Sequence, residues 1–171
     1  MTWWAQQAWL PNADHGAWVA DVLLEADEAG CWRAITPNPS AEQAQGATRV
    51  GWVIPGMVNA HSHAFQRAMA GLAEHSQGAG DDFWSWRERM YRIALTVQPA
   101  QLEAIATWLY AELLASGYTH VCEFHYVHRD PTGAAYADPQ EMTWALVRAA
   151  QTVGIGLTVL PTLYMNQGFG Q

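Results

Sequence analysis

Nine residues, Pro55-Gly56-Met57-Val58-Asn59-Ala60-His61-Ser62-His63, constrain this chain more than any other stretch. A turn dipeptide is followed by an apolar restart and then by two histidines two residues apart. If Met57 to His63 forms a strand, alternate side chains share a face, so Asn59, His61 and His63 point the same way. Two imidazoles on one face at the C-terminal end of a strand can chelate a single divalent metal ion.

Spacing alone is weak support. Seven histidines in 171 residues yield about 0.3 His-x-His pairs by chance, so a bare pair reads as an ordinary surface or core feature. The flanks reverse that reading. Val53-Ile54-Pro55-Gly56 is an apolar approach ending in a turn, and Met57-Val58 restarts an apolar strand. A strand that runs into polar, metal-competent side chains is what a site at the mouth of a barrel requires.

Composition narrows the partners. Half of the residues are hydrophobic and only 14% are charged, which favours one sizeable core over disorder. A net charge of −8 without any Lys/Arg cluster argues against nucleic acid and anionic membranes. Cys31 and Cys122 form neither a disulfide framework nor a Cys-x-x-Cys metal site, so a reducing, cytoplasmic setting is expected. The N-terminus lacks the basic and apolar regions of a secretory signal, and no apolar run approaches the ~18 residues that span a bilayer. The ten tryptophans read as core and lid packing.

Residues 1–52 read as a small β region, with β-prone runs at Trp18 to Glu25 and Cys31 to Ile35 around a hairpin turn at Ala26 to Gly30, and a polar loop at Pro37 to Gly46. Residues 53–171 switch to a strand–helix–strand pattern. The expected strands are Met57 to His63, Tyr118 to about Tyr126 and Ile155 to about Leu163. The expected helices are Ala64 to Glu74, Phe83 to Leu95, Pro99 to Ser116, and one capped by Asp138 with Pro139 and Glu141 in its first turn. His75 to Gly80 reads as a loop. Leu102, Ile105, Ala106, Leu109 and Leu113 supply the helical period of the third helix, with Pro99 suited to its start and Gly117 to its end. Parallel strands joined by helices imply right-handed βαβ units. The fold class expected is therefore α/β, with about three βα units of a (β/α)8 barrel preceded by a small β-sandwich region. A complete barrel takes at least about 200 residues. With Phe169-Gly170-Gln171 falling just past the third strand, the sequence reads as truncated.

Two histidines fall short of a catalytic zinc site, which takes three protein ligands plus water. His125 and His128, near the end of the second strand, are the internal candidates for more, each also open to an ordinary packing role. His120, at that strand's start, reads as structural. Glu123 lies inside the strand, where a carboxylate needs a partner; support of the site and catalysis remain equally open. Arg87 sits among aromatics, where a fork-shaped anion contact is shielded, or else belongs to an exposed helix with Arg89 and Arg92. Gln66, by spacing alone, is no better than a surface glutamine.

The motif from Pro55 to His63 resembles the first-strand metal motif of the amidohydrolase superfamily. Ala64-Phe65-Gln66-Arg67, Asp82-Phe83-Trp84-x-Trp86-Arg87 and Glu123-Phe124-His125-Tyr126 narrow the resemblance to the formimidoylglutamate deiminase family, over nearly all of this chain but only about the first third of a full-length member. The resemblance implies that His61 and His63 bind a single Zn2+, another divalent metal being an alternative. It implies that Gln66, Arg87 and Tyr126 line the substrate pocket, Arg87 as a carboxylate clamp. It assigns no role to His125. The substrate it implies is a small molecule, N-formimino-L-glutamate, hydrolysed to N-formyl-L-glutamate and ammonia in histidine degradation. The family's third zinc histidine, catalytic glutamate, further catalytic histidine, last-strand aspartate and second substrate arginine have no counterpart here. No catalytic residue is therefore expected within these residues, and the fragment is expected to be inactive alone. A homodimer is among the assemblies open to the full-length protein. Two rival readings are an aminohydrolase of the same superfamily acting on a heterocyclic ring, which predicts an apolar clamp in place of Arg87, and a non-catalytic metal-binding module.

Overall fold

The computed structural model describes residues 1–11, 15–72 and 83–164. The loop expected from His75 to Gly80, Asp81, Asp82 and the Gly-rich segment at 169–171 lie outside the described residues. The chain divides into two compact units, Met1–Pro55 and Gly56–Gln171.

The first unit holds β1 (Thr2–Pro11), β2 (Gly16–Ala26), β3 (Trp32–Pro37) and β4 (Thr48–Val53). They form a sheet of order β3-β2-β1-β4, in which β4 lies parallel to β1 and the other neighbours are antiparallel. The sequence reading placed a β-sandwich here; among the described residues the unit is one sheet. Its packed cluster of buried residues is small, Ala5, Ala8, Val22 and Leu24, enough to line one face but not to fill the space between two sheets. Most of the tryptophans expected in the core lie at the surface instead. Trp9, Trp18 and Trp52 meet edge to face at 5.4 and 4.8 Å while all three remain exposed. β1 and β4 escaped the sequence reading because neither shows a clean two-residue alternation.

The second unit holds the parallel strands β5 (Met57–Ser62), β6 (Tyr118–His125) and β7 (Gly156–Pro161), in sheet order β5-β6-β7. Between β5 and β6 come a short 3-10 helix (Ala64–Met69), α1 (Phe83–Ala94) and α2 (Pro99–Ala115), and between β6 and β7 comes α3 (Glu141–Val153). This is the expected α/β alternation. Leu102, Ala106 and Tyr110 of α2 meet Met142, Ala145, Leu146 and Ala149 of α3 in one apolar core that also takes Val121 from β6. Ile105, Leu109 and Leu113 pack around it partly buried.

The termini of α2 follow the sequence closely. Pro99 opens the helix, and Gly117 turns the chain into β6 with a φ of 89° that only glycine adopts without cost. A reciprocal cap between Gln98 and Gln101 also holds the start; it was not foreseen because the usual Ser or Thr is absent. For α3 the expected cap is displaced. The first helical residue is Glu141, and Gln140 stands at the cap position without a side-chain bond to the helix backbone. Asp138 instead closes a preceding turn: its Oδ1 accepts the Gln140 N–H at 2.8 Å and its Oδ2 the Trp144 indole N–H at 3.0 Å.

Candidate active site

β5 delivers the histidine pair through an irregularity. Asn59 pairs with Val121 but Ser62 pairs with Glu123, so β5 carries one residue more than β6 across the same span. Such a bulge re-aims side chains at the end of a strand. Asn59 stabilises it locally, because its Oδ1 accepts the His61 backbone N–H at 3.1 Å. The expectation that Asn59 would share a face with the histidines is thus modified: its side chain turns back onto the backbone. The two rings do meet, with centroids 4.6 Å apart and planes at 89°.

His61 is exposed and His63 half-buried. The His63 ring is fixed from β6, its Nδ1 lying 2.9 Å from the Phe124 carbonyl oxygen. A carbonyl only accepts, so Nδ1 carries the proton and Nε2 keeps its lone pair. Burial lowers the pKa of His63 below that of an ordinary imidazole; the Phe124 carbonyl raises it in part and His61 lowers it further. A neutral imidazole held at one nitrogen by a backbone acceptor is the form that binds a divalent cation. The pair therefore fits two ligands of a metal site. Among the described residues no cluster of three or more His, Cys, Asp or Glu side chains has ligand geometry.

Gln66 and Tyr126 come together beside it. The Gln66 Nε2 donates to the Tyr126 hydroxyl at 3.2 Å, and the Tyr126 ring lies 5.2 Å from that of His63. Met90 of α1, which the sequence reading passed over, completes the group: its sulfur lies 3.4 Å from the Gln66 Nε2 and 3.7 Å from the Tyr126 hydroxyl. Burial raises the pKa of Tyr126, so its hydroxyl is a hydrogen-bond donor at neutral pH. Arg87 stands one helical turn from Met90 on α1. Its guanidinium donates to the Tyr91 hydroxyl from Nη2 at 2.9 Å and lies 5.5 Å from the centre of the Trp84 ring.

His125 and His128 do not join His61 and His63. Strand parity puts Val121, Glu123 and His125 on one face of β6, all three buried, and Phe124 on the other. It is Phe124 whose ring meets those of His61 and His63. His125 packs instead on His128, ring centres 4.6 Å apart, and the His128 Nε2 meets the Thr162 carbonyl at 2.9 Å. His120 bonds the Thr158 hydroxyl across to β7 at 2.8 Å, a structural contact. Glu123 is 2% exposed and takes up bonds from the Ala64 backbone N–H and the Tyr110 hydroxyl. Burial raises its pKa, and the bonds from Ala64, Ser62 and Tyr110 oppose that shift.

Comparison with known proteins shows the family. Residues 52–161 match the model of the amidohydrolase family. The chain is 50% identical over 167 residues to a formimidoylglutamate deiminase of Pseudomonas aeruginosa, an alignment covering 97% of this chain and 35% of that protein. In structure it resembles an amidohydrolase from Brucella melitensis, with a TM-score of 0.88 and 44% identity over 99% of this chain and 36% of that one. It also superimposes on the zinc complex of atrazine chlorohydrolase TrzN from Arthrobacter aurescens TC1, with a TM-score of 0.69 over 94% of this chain and 35% of that one. At 17% identity the latter likeness is one of fold. The chain spans about a third of the length of the curated relative it matches. Its parallel sheet, its His-x-His motif and this family match place the chain in the amidohydrolase family.

Proposed function

We propose that these residues form the first three βα units of a (β/α)8 barrel and contribute the first half of the active site of a zinc-dependent formimidoylglutamate deiminase, which hydrolyses N-formimino-L-glutamate to N-formyl-L-glutamate and ammonia in the cytoplasmic breakdown of histidine. The observation that carries this reading is the meeting of the Gln66–Tyr126 hydrogen bond, 3.2 Å long, with the His63 ring. A metal-binding pair and a small polar recognition group then stand at the same ends of β5 and β6. The half identity to a protein named for this activity supports the substrate.

A divalent cation bound there supplies Lewis-acid polarisation and an acidified water. The work of this chain is narrower. His61 and His63 offer imidazole nitrogens, His63 through Nε2. Gln66 and Tyr126 present an amide and a hydroxyl that orient the polar end of a substrate. The Arg87 guanidinium is suited to a substrate carboxylate, which it can meet with two parallel N–H donors. In this reading the acid/base groups and the remaining ligands come from outside these 171 residues, so the chain alone turns over no substrate.

Ammonia release from N-formimino-L-glutamate by the protein at its natural length tests the proposal. Turnover that responds to Arg87→Met with a raised KM supports it. A zinc-loaded protein that hydrolyses an aminated purine or s-triazine ring and leaves N-formimino-L-glutamate untouched overturns it.

A further inference from the structure

Two consecutive residues of β6 hold two consecutive residues of the metal-binding segment. The Phe124 carbonyl takes the His63 ring through Nδ1, and the Glu123 carboxylate takes the backbone N–H of Ala64 through Oε1. Ala64 opens the 3-10 helix that follows β5, and His63, at its cap position, offers that helix no side-chain bond. The first N–H groups of a helix need an acceptor from elsewhere. Glu123 is that acceptor, reaching across the sheet from 59 residues away in sequence.

Keeping a carboxylate there is costly. Glu123 is buried to 2% exposure on the strand face it shares with Val121, over a core of Leu102, Ala106 and Tyr110. An apolar residue would avoid the cost of dehydrating a charge. Its hydrogen-bonding partners, the Ala64 N–H and the Tyr110 hydroxyl, are neutral donors, so neither supplies a countercharge. The first of these donors immediately follows His63 in the chain.

We propose that Glu123 is a positioning residue for the metal-binding pair, its buried carboxylate clamping the backbone immediately after His63 so that the ring held by Phe124 presents Nε2 to the cation. This rests on the reading of His61 and His63 as ligands given above. Outer residues that orient metal ligands alter metal affinity by about 10–100-fold when removed, and that is the effect expected here.

The test titrates Co2+ into the metal-stripped protein at its natural length, reading the dissociation constant and the ligand-field spectrum beside a thermal melt. Glu123→Met, which fills the space without an acceptor, is expected to weaken Co2+ binding by about 10–100-fold and to change the spectrum. Glu123→Gln, whose amide oxygen still accepts the Ala64 N–H, is expected to retain wild-type affinity and spectrum. A Glu123→Met protein that melts earlier but binds Co2+ with wild-type affinity and spectrum overturns the proposal, because the role is then one of stability alone. If Glu123→Met does not fold, Glu123→Asp takes its place: shortened by one methylene, its carboxylate falls short of Ala64, and wild-type binding in that variant is equally fatal. His63→Ala separates the two readings. If it binds Co2+ as the wild type does, the ligand assignment fails and Glu123 has nothing to position.

Discussion

The Nδ1 of His63 and the carbonyl oxygen of Phe124 lie 2.9 Å apart, across 61 residues of sequence. Because the oxygen has no proton to give, the bond selects one imidazole tautomer before any cation arrives. In the metal-free protein near neutral pH, nitrogen NMR of His63 is expected to find the proton on Nδ1, against the Nε2–H form that free neutral imidazole side chains favour. A His63 signal with the proton on Nε2 refutes the bond.

Gly56 opens the motif for a reason beyond the turn. A Cβ built there falls 2.7 Å from the Thr119 Cβ and closer still to the Thr119 hydroxyl and methyl groups. The start of β5 thus passes so near β6 that only glycine fits. Gly56→Ala is expected to destabilise the protein by about 1–3 kcal/mol, the usual cost of forcing extra atoms into a packed contact. Urea denaturation measures this, and an unchanged midpoint counts against so close an approach.

His125 makes stability depend on pH. Burial, and next the neighbouring His128, lower its pKa from the ordinary 6.5 to about 4. Between these values the unfolded chain holds a proton that the folded one lacks, so stability is full above about pH 6.5 and falls as pH drops toward 4. The loss from this one group is on the order of 3 kcal/mol. Glu123, its pKa raised by burial, acts with the opposite sign as pH rises above its ordinary range, so the difference between two proteins is the clean measure. Denaturation at about pH 7 and about pH 4.5 is expected to show a steeper loss for the wild type than for His125→Leu; parallel losses contradict it.

Tyr126 tests the recognition group. Tyr126→Phe removes the acceptor of the Gln66 amide but leaves the ring against His63 and Phe65. With a hydrogen bond worth about 0.5–1.5 kcal/mol, KM for N-formimino-L-glutamate is expected to rise by about two- to tenfold while the melting temperature changes little. A fall in stability with unaltered KM assigns the hydroxyl to packing instead.

Much of the fold was legible because its signals are local. The helical period around Leu102 and Ala106, Pro99 at a helix start and Gly117 at its end each express a constraint within a few residues, and the structure has α2 at Pro99–Ala115. The first unit was harder to read. Its single sheet, its exposed tryptophans and the strands β1 and β4 depend on which partner each strand finds, and β1 finds β4 in parallel some 45 residues away. The bulge at Asn59–Ser62 was likewise invisible, since it exists only as a mismatch with β6.

The sequence by itself determined that two imidazoles would stand together at the end of an apolar strand, because a two-residue spacing and a strand's alternation leave little choice. For Gln66, spacing alone said nothing, and only the family resemblance pointed to the pocket. Only the tertiary structure decided which nitrogen of His63 is free, that His125 faces away from the pair, and that Glu123 holds the backbone behind it. Those outcomes depend on the register between β5 and β6 and on the face each β6 residue takes. Register is a property of two strands at once, and a single strand read in isolation does not contain it.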